Sequence, residues 1–250
     1  MPIHFARRLT GHQRSIDANR HLGVTLAFIA GAINAGGFLA VQQYTSHMTG
    51  IVSGMADQLA LGNHALVLAG FGAILSFLTG AACTALMVSH ARLHRLHSEY
   101  ALPLLLEAML LLGFGLLGGW LSAIDGLFVP LTVMLLCFIM GLQNALITKL
   151  SRAEIRTTHL TGTITDIGIE LGKLAYSRAA PGAADKIAVN RERLRIHALL
   201  VLSFFLGGAI GALGFAHIGY RSTVPLAIIL CALAFVPAVD DLTRLRRRFT

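Results

Sequence analysis

The chain has 250 residues, 55% hydrophobic and only 13% charged, with mean hydropathy +0.71 and formal net charge +8. Soluble domains carry about 25% charged residues, so a water-soluble globular domain is excluded. The basic excess flanks apolar runs, which points to membrane surfaces and argues against nucleic acid as a partner.

The opening segment, 1–21, is long and polar, with Arg7, Arg8, Arg14 and Arg20. It fits a cleaved secretory signal poorly, so the first apolar run is read as a retained span. Six runs reach the roughly 20 apolar residues a bilayer requires: 22–42, 65–88, 101–121, 127–148, 196–218 and 222–239. With the N-terminus cytoplasmic, nineteen of the twenty Lys and Arg fall on the inner side and Arg221 alone falls outside. Cys83, Cys137 and Cys231 lie inside these runs and imply neither a disulfide framework nor thiol chemistry.

Span one carries Gly31-x-x-Asn34-Ala35 and is followed by Tyr44-Thr45-Ser46-His47-Met48-Thr49-Gly50. Span four carries Gly141-x-x-Asn144-Ala145 and is followed by Arg156-Thr157-Thr158-His159-Leu160-Thr161-Gly162. The two His residues stand 13 and 15 positions after their Asn. Phe77-Leu78-Thr79-Gly80-Ala81 in span two is matched with Phe205-Leu206-Gly207-Gly208-Ala209 in span five, and Pro103 with Pro225. These pairs divide the chain into a first repeat, 22–121, and a second, 127–239, with a basic cytoplasmic insertion at 172–195 and a basic tail at 240–250. Three spans per repeat place the halves in opposite orientations. The expected fold is all-α: a polytopic bundle of about six transmembrane helices, built as two inverted three-helix repeats, with half-helices after spans one and four.

A polar, glycine-broken segment is costly at membrane depth unless it lines a cavity or is buried in protein. The arms after the two glycines, 51–61 with Asp57 and 163–172 with Asp166 and Glu170, are too short to span. As half-helices they aim free N–H groups toward the midplane. Thr49 and Thr161 then serve as caps or ligands, and His47 and His159 as titratable groups. The plainer account makes each Thr an N-cap on an interfacial helix whose acids complement the dipole. Asn34 and Asn144 serve equally as solute ligands or as interhelical ties. Glu107 stands alone in an apolar span, either as a proton carrier or as a neutral acid bonded to a neighbour. His90, His94 and His97 share a face that could hold a metal, but Arg92 and Arg95 between them favour a solvated basic end, and no metal site is assigned. The glycines around 113–119 and 207–214 read as close helix packing.

Thr45-Ser46-His47-Met48-Thr49-Gly50, Met140-Gly141-Leu142-Gln143-Asn144-Ala145 and Arg156-Thr157-Thr158-His159-Leu160-Thr161-Gly162-Thr163 together resemble the YoaK family of small bacterial integral membrane proteins, which carry a domain of unknown function. The resemblance covers roughly 22–239 and implies an inner-membrane location without a substrate. The family's first motif often continues with Asn after Gly, where this chain has Ile51.

The expected function is a secondary transporter or channel for a small polar or anionic solute, with proton coupling as an option. Solute would meet Asn34, Ser46, His47, Thr49, Gly50, Asn144, Thr158, His159, Thr161 and Gly162, while Asp57, Glu107, Asp166 and Glu170 would handle protons. No enzymatic motif or cofactor is implied. The partners are the lipid bilayer and the solute, a homo-oligomer is compatible, and both termini are cytoplasmic. The competing class is a non-transporting membrane module: an assembly partner, sensor or lipid-binding protein.

Overall fold

The computed structural model describes residues 16–94, 96, 98–121, 128–150, 160–179 and 189–235. Among the described residues every regular element is helical: α1 (Ile16–Val41), α2 (Met48–Ala60), α3 (His64–Leu93), α4 (Ala101–Leu121), α5 (Phe128–Leu150), α6 (Leu160–Ala179) and α7 (Arg191–Ile218). The 3-10 turn Gly219–Ser222 then leads into a further helical stretch, 223–235, called α8. Pro103, Pro130 and Pro225 each stand third in their helices, within the first turn, where a missing N–H costs little. Gln42 ends α1 in the left-handed region, at φ 54°, and Gly62 and Gly219 turn the chain at φ 75° and 62°. Asn190 caps α7 by accepting from the Arg193 N–H at 2.9 Å, with Glu192 in the first turn complementing the dipole.

Among the described residues, five segments are long and apolar enough to cross a membrane: Asn19–Val41, His64–Leu93, Ala101–Trp120, Val129–Leu150 and Arg191–Phe235. The last covers 45 residues. As one rod it would extend roughly 67 Å, about twice the bilayer core. The chain instead bends within it. The Phe215 ring meets Tyr220 edge-on at 5.0 Å, and the Thr223 hydroxyl donates to the carbonyls of Leu111, at 2.9 Å, and Tyr220, at 3.0 Å.

The core is organised by two helix pairs, α1 along α7 and α3 along α5. Both pairs close on the same device, Phe-x-x-Gly. A Cβ on Gly31 would collide with the Phe204 carbonyl, and one on Gly207 with that of Phe28. In the other pair, Gly141 meets the Phe77 carbonyl and Gly80 that of Phe138. Backbone therefore lies on backbone at both crossings, which only glycine permits. The contacts align Phe77 and Gly80 with Phe204 and Gly207, one position from the Phe205 match expected from sequence. Consecutive phenylalanines made that register ambiguous. One turn further along, the Thr84 hydroxyl donates to the Leu142 carbonyl at 2.9 Å, and at the equivalent place Gly211 lies against Ala32.

Candidate functional site

The first break hangs on Asn34. Its Oδ1 accepts from the Ser46 N–H at 3.3 Å and the Ser46 hydroxyl at 2.9 Å, so this amide ties the break to span one. Thr45 is fully buried, and its hydroxyl has no hydrogen-bond partner among the described residues. Helix α2 starts at Met48, which corrects the expected cap: His47 occupies that position, and Thr49 and Gly50 lie in the first turn. The first rung of the helix is Ile51 N–H to the His47 carbonyl at 3.1 Å, so the N–H groups of Met48, Thr49 and Gly50 fall outside the ladder. The His47 imidazole lies over Gly50 where any Cβ would collide with it, which accounts for the His-x-x-Gly spacing. His47, Thr49 and Asp57 are exposed; Ser46 and Gly50 are half-buried.

From there α2 runs back along the start of α3. Gln58 Oε1 accepts from Asn63 Nδ2 at 2.7 Å at the shared end. Met55 and Ile51 cover Gly70, and Ile51 is buried with Val41, Ala73, Val133 and Cys137. Met48 and Phe77 pack against the same cluster. The break thus lies about nine residues along α3, or roughly 13 Å.

The second arm follows a similar course with different contacts. Thr158 and His159 lie outside the described residues. Helix α6 has 20 residues, longer than expected, because Lys173 pairs with Glu170 at 2.8 Å and good helix formers follow. Thr161 and Gly162 are exposed in its first turn. Glu170 is buried and also accepts from the Asn190 N–H at 2.9 Å. The Lys173 ammonium, then that N–H, hold its carboxyl below the usual carboxylate range. Asp166 accepts from Arg193 at 3.0 Å and stands 3.8 Å from His197 Nδ1. Arg20 pairs with Glu192, bringing α1 into the same cluster. The acids of α6 face α7, whereas Ile164, Ile169, Leu171 and Tyr176 are exposed on its other side. Asn144 Nδ2 donates to the Met140 carbonyl at 3.0 Å, within its own helix.

Deep in the apolar core, Gln143 Nε2 donates to Glu107 Oε1 at 2.8 Å, and both side chains are fully buried. Gln143 has no acidic or amide counterpart in the first half, where Ile33 stands in its place. There Ile33 and Leu226 line a small, mainly apolar crevice together with Phe114, Leu136 and Phe215. His90 and His94 face each other at 4.2 Å, His97 lies outside the described residues, and no cluster of metal-ligating side chains occurs among the described residues.

A family model described as "Protein of unknown function (DUF1275)" matches residues 22–236. The chain is similar to the UPF0700 transmembrane protein YoaK of Bacillus subtilis (strain 168), 27% identical over 209 residues that span 82% of this chain and 88% of the relative. No solved structure matches.

Proposed function

This chain belongs to the DUF1275 family of proteins of unknown function, and we propose that it is a small secondary transporter or channel for a polar or anionic solute. Its six spans form two inverted three-helix repeats in the bacterial inner membrane, with both termini cytoplasmic. One observation carries this reading. Gly31 with Phe204 and Gly207 with Phe28 repeat, residue for residue, as Gly141 with Phe77 and Gly80 with Phe138. In each crossing, the first span of one half packs on the second span of the other. A pseudo-two-fold axis generates that exchange, and such an axis supports two mirror-related states of one scaffold. The broken motifs supply the solute contacts: Ser46, His47, Thr49 and Gly50 with Asn34 on one side, and Thr158, His159, Thr161 and Gly162 with Asn144 on the other. The uncapped N–H groups of α2 favour an anion there.

The test is solute flux in proteoliposomes across a panel of small polar and anionic solutes. Flux that disappears in His47→Ala and His159→Ala variants is the expected result. Folded protein that moves nothing across the panel overturns transport. The second reading is a non-transporting module that docks a protein or lipid; that module would leave the panel silent.

A further inference from the structure

Four carboxyl groups were candidates for carrying a proton, and their surroundings separate them. Asp166 and Glu170 are held by Arg193 and Lys173 at 3.0 and 2.8 Å, and Asp57 is exposed on α2. Glu107 is fully buried, and among the described residues it has no cation within ion-pair distance. It is the one ionisable side chain on α4. The ionisable groups on the elements packed against α4 are Lys149 and Cys137 on α5, Cys83, His64, His90 and Arg92 on α3, and Tyr220 and Arg221 in the turn. None of them makes a hydrogen bond or ion pair to Glu107 among the described residues, and Arg92 is already held by Glu99 at 2.7 Å.

Glu107 Oε1 accepts from Gln143 Nε2, which leaves the second carboxyl oxygen of Glu107 and the one amide oxygen of Gln143 with nothing to accept from. Glu107 Oε2 and Gln143 Oε1 are both fully buried and have no hydrogen-bond partner among the described residues. A buried acceptor without a donor is costly, and two of them on one bonded pair mark a missing hydrogen. A carboxylic acid contains that hydrogen; a carboxylate does not. The pair also bridges the halves, since α4 is the third span of the first repeat and α5 the first span of the second. By the Pro103–Pro225 pairing Glu107 corresponds to Ile229, and Gln143 corresponds to Ile33, so the polar pair has two apolar side chains as its counterparts in the other half.

We infer that Glu107 and Gln143 form a single proton-binding pair that latches α4 to α5, with Gln143 as the positioning residue. Uptake forms an O–H bond on Glu107 Oε2, with the proton taken from water, and supplies the donor the pair lacks. Release returns the proton to water, leaves a carboxylate in apolar surroundings and loosens the α4–α5 joint. As a coupling element the pair rests on the transporter reading; as a proton site it does not.

Infrared spectroscopy of the full chain in liposomes tests it, titrated from acid to alkaline buffer in H₂O and D₂O. The wild type should show a protonated-carboxyl band that shifts on deuteration and is lost in Glu107→Gln. Gln143→Met, which keeps volume but removes the amide, should move the band. If Glu107→Gln does not fold, Glu107→Asp should displace the band instead. The pair is overturned by a wild type without the band, by a band that survives Glu107→Gln, or by one that neither Gln143→Met nor Glu107→Asp moves. An imposed pH gradient separates the two readings. A well-behaved band with no solute flux keeps the proton pair and removes transport. Gradient-driven flux without the band removes the pair and keeps transport.

Discussion

The arms α2 and α6 both run back along the opening turns of the span that follows, but they are held by different forces. Helix α2 is seated by shape: Met55 and Ile51 fill the space above Gly70, and at the shared end Asn63 donates to Gln58 through both its side chain and its backbone N–H. Helix α6 is seated by charge, with Asp166 paired to Arg193 and the Glu170 carboxylate accepting from the Asn190 N–H. The tie at the end is itself matched, since Asn63 and Asn190 each stand at the N-cap of the following span. Packing of the first kind is insensitive to salt and pH. Ion pairs that are partly exposed respond to both. One fold position has thus been filled once by a constitutive contact and once by an adjustable one.

The strongest way to break the comparison is to attack what the halves share. Gly31→Val and Gly141→Val should each cost about 3 kcal/mol or more, because backbone must separate from backbone. Thermal unfolding in detergent checks this, and tolerance of either variant would mean that the two crossings are not equivalent. Next comes Gly70→Leu, which should displace Met55 and free α2, costing about 1–3 kcal/mol. Hydrogen exchange should then rise across α2 and leave α6 unchanged. Arg193→Ala should loosen α6 by only about 0.5 kcal/mol, as expected of a half-exposed ion pair. Raising ionic strength should speed exchange in α6 and spare α2, and equal response of the two arms would contradict the contrast. The smallest effect is that of pH. Because the folded state holds the Glu170 carboxyl below its ordinary range, its contribution is present above the unfolded carboxylate pKa and is lost as pH falls through the folded value. Acid should therefore raise exchange in α6 of the wild type more than in Glu170→Gln.

Much of this architecture is legible in the chain because bilayer length and hydropathy constrain it strongly. The expected run 101–121 coincides with α4, and the run 65–88 sits inside α3. The paired Gly31 and Gly141 landmarks fall at the two crossings. What sequence could not reach was tertiary. Reading Phe77 against Phe205 missed the true register because Phe204 and Phe205 are adjacent, and only the carbonyl contacts choose between them. Thr49 looked like a cap by residue preference, yet the helix begins earlier and the His47 ring takes the space over Gly50. Gln143 drew no attention because its meaning depends on Glu107, 36 positions away on another helix. One signal was available: Phe-x-x-Gly occurs in all four crossing helices, at Phe28, Phe77, Phe138 and Phe204.

Those four glycines also restrict how the molecule can move. With no side chain between the backbones, neither joint can slip lengthwise by exchanging rotamers; it can only swivel, as a pinned lever does. Distance measurements between spin labels near 31 and 204, and near 77 and 141, should therefore stay fixed under any condition that shifts the helix ends.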